Sequence, residues 1–138
     1  QLIFPNEFLF SHSSWGINQD SENFINWINI KENNRWGINW NDWYPINFRG
    51  FEDDAQLYLT TSTHNYSFKL TLSDYNGAHN TVKIDDYQAS IVDSTFNYKI
   101  PLKDFQITER NIQKDRIKQL EFISDQIDLK IYSIKIDK

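Results

Sequence analysis

Apolar residues along this chain recur at every second position in short runs, and turn-forming Asn, Asp, Gly and Ser residues separate the runs. This spacing is that of β-strands with one buried face and one solvated face. The clearest runs are 56–60, 66–72, 81–85 and 96–100. Strands of this kind are typical of antiparallel sheets that pack face to face. The pattern therefore predicts an all-β chain, folded as a two-sheet antiparallel β-sandwich of about eight to ten strands.

Three local features refine this prediction. The Asn76-Gly77 pair tolerates positive φ angles, so it predicts a tight hairpin between strands that flank residues 74–77. Two strands close the chain after Leu120, and the alternation slips near Tyr132 and Ser133, which predicts a β-bulge. Segment 102–118 breaks the alternation, and we assign it to a connection with little to bury.

The length, cysteine content and net charge of this chain exclude several classes of protein. The chain has 138 residues, which predicts a single β-sandwich domain over 1–138. It has no Cys, which excludes cysteine nucleophiles, thiolate metal sites and disulfides. With 14 Lys plus Arg against 19 Asp plus Glu, the net charge is -5, so we expect no nucleic acid partner. We expect no membrane span, because the longest apolar stretches are far shorter than one. The sequence that starts at Gln1 has no signal peptide, so we expect a mature or excised fragment.

The sequence carries no motif for catalysis. His12, His64 and His79 stand alone, without the spacing of a metal site or a Ser-His-Asp relay, and are interpreted as surface or loop residues. There is no nucleophile elbow, zinc-protease motif or glycine-rich phosphate loop. The acidic clusters at 52–54 and 85–86 would suit a glycosidase only across a deep cleft, which small sandwiches rarely have. We expect a chain that is not catalytic by itself.

The acidic residues Glu52, Asp53 and Asp54 have a second interpretation, as oxygen ligands of Ca²⁺. Calcium takes six to eight oxygen ligands, so this cluster would have to recruit others, such as Glu7 or Asp137. A solvated loop is the favoured interpretation. We therefore predict no required cofactor and no metal site, with 52–54 as the alternative.

Aromatic residues are the informative feature, because five Trp, seven Tyr and ten Phe make up 16% of a polar chain. Sugars pack a C–H face on an aromatic ring, and their hydroxyls pair with planar polar side chains. The alternative is that these rings close the ends of the sandwich. The predicted ligand-binding residues are three stacking rings, Trp27, Trp43 and Tyr58, and three hydrogen-bonding side chains, Arg35, Asn39 and Lys69.

The placement of Trp27 depends on the phase of its strand. If Phe24, Ile28 and Ile30 point into the core, then Trp27 points to the outer face, because side chains alternate along a strand. This phase predicts that Trp27 is exposed and free to contact a sugar.

The order of several segments resembles the galactose-binding-like jelly rolls, which include carbohydrate-binding modules of bacterial polysaccharide-degrading enzymes. The likeness covers nearly the whole chain. Its most specific elements are Ile-Pro-Leu-x-x-Phe at 100–105 and a closing strand that ends in an isoleucine pair. The segments that carry it are RWGINW at 35–40, QLYLTT at 56–61, FKLTL at 68–72, YKIPLKDF at 98–105 and LKIYSIKI at 129–136.

The resemblance implies a jelly roll that binds a polysaccharide or oligosaccharide on one face or at its loop end, in a secreted or cell-surface protein, beside a catalytic domain of the same chain. Many such modules have an Asp near a structural calcium where this chain has Tyr132 and Ser133, so the resemblance does not extend to that calcium. The alternative function is a structural or protein-interaction domain, since Tyr, Trp and Arg also dominate protein interfaces.

Overall fold

The computed structural model of the chain describes residues 2–4, 9–11, 17–19, 25–29, 34–39, 55–106, 117–125 and 127–137. These residues form twelve strands, and 3₁₀ turns follow two of them, at Ile84–Asp86 and Leu102–Gln106. The strands are β1 Leu2–Phe4, β2 Leu9–Ser11, β3 Ile17–Gln19, β4 Ile25–Asn29, β5 Asn34–Asn39, β6 Gln56–Ser62, β7 Lys69–Asp74, β8 His79–Lys83, β9 Ser90–Val92, β10 Thr95–Pro101, β11 Ile117–Ser124 and β12 Ile127–Asp137.

The strands form two sheets in which every pair is antiparallel. The seven-stranded sheet has the order β3-β4-β12-β6-β10-β9, with β1 also paired to β12. The five-stranded sheet has the order β2-β5-β11-β7-β8. The predicted all-β, two-sheet architecture is confirmed. Twelve strands exceed the expected number because β1, β2, β3 and β9 have three residues each, which is too short for alternation to reveal.

The core lies between the two sheets and follows the predicted alternation. Leu57 and Leu59 of β6 are fully buried between half-buried neighbours, and Tyr98 and Ile100 of β10 are buried in the same way. The apolar residues of β7, β11 and β12 complete this layer. Burial of one face of each strand is the main favourable contribution to folding.

Two predicted irregularities are present. The register of β12 against β6 shifts between Ile131 and Ser133, which is the predicted bulge. The hairpin between β7 and β8 turns through Gly77, whose φ of 87° is one that glycine adopts without strain. Asp74, only 3% exposed, accepts hydrogen bonds from the backbone N–H groups of Asn76 and Ala78, each at 2.9 Å. The buried carboxylate therefore fixes the turn from within.

Two expectations were wrong. The predicted strand 66–72 begins at Lys69, and Tyr66 lies in the loop before it with 38% of its surface exposed. The segment assigned to a connection with little to bury contains a 3₁₀ turn at Leu102–Gln106, in which Leu102 and Phe105 are buried. The spacing of these two residues fits one tight turn, which strand periodicity does not detect.

The phase predicted for β4 also differs from the observed register. Trp27 pairs with Leu129 of β12, and Ile28 pairs with Asp128. Leu129 is fully buried and Asp128 is exposed. Because paired positions of antiparallel strands share one face of the sheet, position 27 lies on the inner face with Leu129. The register of β4 therefore differs from the phase predicted for residues 24–30, and the exposure of the Trp27 side chain stays a prediction.

No helix among the residues described here is long and apolar enough to cross a membrane.

Candidate functional site

Two of the crossings between the two sheets lie close together at one end of the sandwich. Residues 63–68 lead from β6 to β7, and residues 84–89 lead from β8 to β9. Between these crossings lies a cavity of about 380 Å³, which we call the end cleft. Aromatic, apolar and polar side chains line it together: His64, Asn65, Tyr66, Ile84, Asp85, Tyr87, Ala89, Ile91, Phe96 and Tyr98.

His64 is the centre of a ring cluster in the end cleft. Its imidazole stacks on Tyr66 with an interplanar angle of 12° and meets Phe96 edge to face with centroids 5.2 Å apart. Phe68 and Tyr98 lie within ring contact on other sides, at 5.7 and 6.1 Å. Such contacts fix the orientation of the rings as well as burying them. The cluster gives the cleft a rigid aromatic wall.

The hydrogen bonds of His64 determine its tautomer. The backbone N–H of Tyr66 donates to Nδ1 at 3.0 Å, so Nδ1 carries no proton. Nε2 therefore carries the hydrogen and donates it to the Tyr98 hydroxyl oxygen at 2.8 Å. Because that oxygen accepts from His64, the Tyr98 O–H remains available as a donor at the cleft wall. Burial agrees with a neutral ring, since it lowers the pKa of His64 below 6.5.

Asp85 supplies the acceptor that complements this donor. Its carboxylate accepts a hydrogen bond from the Ser67 hydroxyl and lines the same cleft. Burial, with a smaller contribution from the negative charge of Asp85, raises the pKa of Tyr98 to about 12. The phenol therefore keeps its proton at neutral pH. A hydroxyl group bound here would meet one donor and one acceptor on neighbouring side chains.

Tyr87 anchors the second crossing. Its hydroxyl donates to Asp104 Oδ2 at 2.7 Å, and the pKa of Tyr87 is raised by burial and by that carboxylate. Asp104 belongs to the 3₁₀ turn Leu102–Gln106, whose Phe105 is fully buried. The hydrogen bond thus ties the wall of the cleft to the core.

A second cavity of about 210 Å³ shares Asp85 with the end cleft and opens beside Lys69 and Lys83. We call it the lysine cavity. It is lined by Ser67, Phe68, Lys69, Lys83, Asp85, Ile123, Ser124 and Asp125. The two cavities therefore form neighbouring parts of one surface.

Three of the residues predicted to bind ligand occupy positions in strands of the five-stranded sheet. Lys69 pairs in register with Ile123, which pairs with Arg35. Asn39 lies four residues further along β5, opposite Gln119. Lys69 is exposed, so these positions lie on the outer face of the five-stranded sheet. Lys69 also lines the lysine cavity.

Tyr58 does not join that group. It lies in β6 between Lys99 and Lys135, with the Lys135 ammonium 5.9 Å from its ring centroid. This is the outer face of the seven-stranded sheet, on the opposite side of the sandwich from Lys69. Trp43 and the alternative calcium ligands Glu52, Asp53 and Asp54 lie outside the described residues.

Sequence reasoning missed most of the end cleft. His64 was interpreted as a surface or loop residue, and it does lie in the loop 63–68, but its place at the centre of the ring cluster was not predicted. Phe96 and Tyr98 were predicted as core residues, and they are core residues that also form the cleft wall. Two signals in the sequence could have indicated the cleft: the run His64-Asn65-Tyr66 before β7 and the acidic pair 85–86 after β8. Both segments lie in connections at the same end of the sandwich.

His64 also predicts a dependence of stability on pH. Its pKa is lowered in the folded chain from the 6.5 of the unfolded state, so the unfolded chain binds the proton more readily. The stabilisation that results from this difference in pKa is complete above pH 6.5 and is lost as the pH falls through the folded-state pKa of His64. We expect the free energy of unfolding, measured by urea denaturation, to fall below pH 6.5, and less so in His64→Gln. Replacement of the exposed His79 by Gln is the control and should leave this dependence on pH in place. If the free energy of unfolding falls below pH 6.5 by the same amount in the His64→Gln and His79→Gln proteins, the prediction is contradicted.

Searches against protein families and curated proteins found no match to this sequence. Solved structures do match. The family 30 carbohydrate-binding module of the cellulosomal cellulase Cel9D-Cel44B of Clostridium thermocellum superposes with a TM-score of 0.69 at 14% identity, covering 94% of this chain and 91% of that one. Another structure of a family 30 carbohydrate-binding module gives 0.64 at 14% identity, covering 95% and 91%.

A third match is to part of a longer protein. The structure of PfGH50B superposes with a TM-score of 0.62 at 14% identity, covering 96% of this chain and 23% of that one. At this identity the matches show the fold. The chain shares its two-sheet β-sandwich fold with these structures, which confirms the β-sandwich that the sequence resemblance implied.

Proposed function

We propose that this chain is a non-catalytic carbohydrate-binding module and that its end cleft contacts a sugar ring. The observation that carries the proposal is the combination of the Tyr66 ring, the Tyr98 hydroxyl and the Asp85 carboxylate around one cavity. A sugar needs an aromatic surface for its C–H face and paired donors and acceptors for its hydroxyls. The fold of carbohydrate-binding modules supports the same function.

The outer face of the five-stranded sheet extends this site in the proposal. Lys69 lines the lysine cavity, and Arg35 and Asn39 occupy positions on the same face. A polysaccharide lying along that face would reach the end cleft past Lys69. Trp43 and Tyr58 stay predictions from sequence, and Tyr58 would serve a separate surface. We leave Trp27 out of the proposed site because its register partner, Leu129, is fully buried.

The wider setting is also part of the proposal. We infer an extracellular or cell-surface module attached to a glycan-degrading enzyme, by analogy with a module of a cellulosomal cellulase. One observation favours a protein-interaction role as the second candidate. Ile91 and Val92 on the edge strand β9 are 69% and 53% exposed, and an apolar edge of this kind can dock on a neighbouring domain.

Affinity electrophoresis and calorimetry against a panel of polysaccharides and oligosaccharides test the proposal. We expect Tyr66→Ala to weaken binding about fivefold, because loss of one stacking contact costs about 1 kcal/mol. Tyr98→Phe, which removes only the hydroxyl, should weaken it by a similar factor. Tyr66 is already partly exposed, so its replacement should change the melting temperature little.

Two further variants make the result specific to the end cleft. Asp85→Asn should weaken binding, whereas replacement of the exposed neighbour Asp86 by Asn should not, although both changes remove one negative charge. Tyr58→Ala tests the opposite face. Failure of the wild type to bind any glycan would overturn the proposed function, and a loss in Tyr58→Ala alone would move the site to that face.

A further inference from the structure

The lysine cavity contains two cations that face each other across neighbouring strands. Lys69 of β7 and Lys83 of β8 are directly paired in register, and both side chains are exposed at the cavity. Like charges placed directly opposite one another destabilise a sheet. The pair is therefore a local unfavourable arrangement that an external negative charge would relieve.

Neither lysine forms an ion pair within the part of the chain that the structure describes. Among the residues that the structure describes, no ion pair or hydrogen bond joins either ammonium group to a carboxylate. The carboxylates of Asp85 and Asp125 line the same cavity and carry negative charge, and Asp85 accepts a hydrogen bond from Ser67. Neither carboxylate is ion-paired with Lys69 or Lys83 in the described residues. Lys135 provides a contrast, because its ammonium pairs with Asp137 at 3.4 Å. The two ammonium groups at the cavity are thus available to a ligand.

The cavity also lies where a glycan would pass. It shares Asp85 with the end cleft, and Arg35 occupies a position in the same row as Lys69 through Ile123. Overall the chain carries a net charge of -5, which repels anions at long range. A preference for an anionic ligand therefore requires a local pair of cations such as this one.

We propose that the Lys69–Lys83 pair is a subsite for a negatively charged substituent, a carboxylate or a sulfate ester, on the glycan held in the end cleft. This inference rests on the proposed carbohydrate-binding function and deepens it by assigning the class of glycan. Each ammonium group donates charge-assisted hydrogen bonds to the anion. Binding also removes the repulsion between the two lysines.

The experiment uses sugar backbones that differ only in charge. Oligosaccharides of β-1,4-linked glucose and of β-1,4-linked galactose are prepared in neutral, 6-carboxylated and 6-sulfated forms. Calorimetry with the full chain should show the carboxylated or sulfated form binding about tenfold more tightly than the neutral form of the same backbone. The preference should shrink as ionic strength rises from about 50 mM to about 500 mM. The two anionic forms distinguish a uronic acid from a sulfated sugar.

The variants assign this preference to the lysine pair. Lys69→Gln with Lys83→Gln should abolish the preference for the anion and keep the affinity for the neutral sugar. Lys99→Gln with Lys103→Gln removes the same charge from exposed positions away from both cavities and should change neither. In the free protein, Lys69→Gln alone should raise the melting temperature slightly, because it removes the like-charge pair.

The outcomes separate the inference from the function on which it rests. Equal affinity for neutral and anionic forms, or a preference that survives in the Lys69/Lys83 variant, would overturn the subsite and leave carbohydrate binding intact. Loss of the preference in the Lys99/Lys103 variant would also overturn it, since the effect would then be one of net charge. If the wild type binds no form of either backbone, the subsite is overturned, and the wider glycan panel decides the proposed function.

Discussion

Replacement of Gly37 by Ala will destabilise the fold by about 3 kcal/mol, the upper end of the usual cost of overpacking. Gly37 lies in β5, directly opposite Glu121 of β11. A Cβ atom at this position would overlap the carbonyl oxygen of Leu120 and lie 2.9 Å from the Cα atom of Glu121. Both neighbours are backbone atoms, so the strain is relieved only by separating β5 from β11.

Gly77→Ala is the matched control for this prediction. A Cβ atom there meets nothing within 4 Å, but the φ of 87° is unfavourable for alanine. We expect a cost of about 1 kcal/mol, from backbone conformation alone. Urea denaturation monitored by tryptophan fluorescence measures both variants. A Gly37→Ala protein as stable as Gly77→Ala would show that β5 and β11 can separate at that point at little cost.

The second large effect is expected at the centre of the core. Phe122→Ala should lower the free energy of unfolding by about 3 to 5 kcal/mol, because a fully buried ring is removed and a cavity is left. The Phe122 ring contacts Phe68 with centroids 6.3 Å apart, and Phe68 contacts His64 in the end cleft. We therefore expect the folded fraction of this variant to bind glycan more weakly as well.

Thermal unfolding and ligand titration check the two parts of that prediction. Ile91→Ala removes a side chain that is 69% exposed, so its melting temperature should stay close to that of the wild type. If the folded Phe122→Ala protein binds as tightly as the wild type, the end cleft does not depend on the Phe122–Phe68–His64 contacts.

Strand alternation predicted the fold well where one face of a strand is apolar and the other polar. The run 56–60 is such a case, and buried and half-buried residues alternate along all of β6, Gln56–Ser62. The Asn76-Gly77 hairpin and the bulge near Ser133 were predicted for the same reason, because each rests on local backbone preference. Local signals of this kind need no knowledge of the neighbouring strands.

The phase of β4 was wrong because its sequence is ambiguous. Ile25 and Trp27 are apolar on one face, and Phe24, Ile28 and Ile30 are apolar on the other. Only pairing with β12 decides which face is buried, and that pairing joins residues about a hundred positions apart. The sequence carries no local signal that would have resolved the choice.

The end cleft escaped prediction for a different reason. Its side chains come from two crossings that are distant in sequence, and they meet only because β6 and β7, and then β8 and β9, belong to opposite sheets. His64 has no second histidine or other partner at a motif spacing in the sequence, so no sequence pattern indicated its role. Of the predicted binding residues, Arg35, Asn39 and Lys69 occupy positions on one face only because β5, β11 and β7 pair side by side.

Strand β12 pairs with three other strands, β1, β4 and β6. Of these, β1 and β4 begin more than a hundred residues before β12 in the sequence. Closing such long loops costs entropy before any contact is gained, so folding of this chain should be slow, on the scale of about milliseconds to seconds. Until β12 is in place, β4 and β6 each present an unpaired edge, which is a template for pairing with another molecule. Substitutions that weaken β12 should therefore appear first as aggregation during refolding rather than as a lower melting temperature.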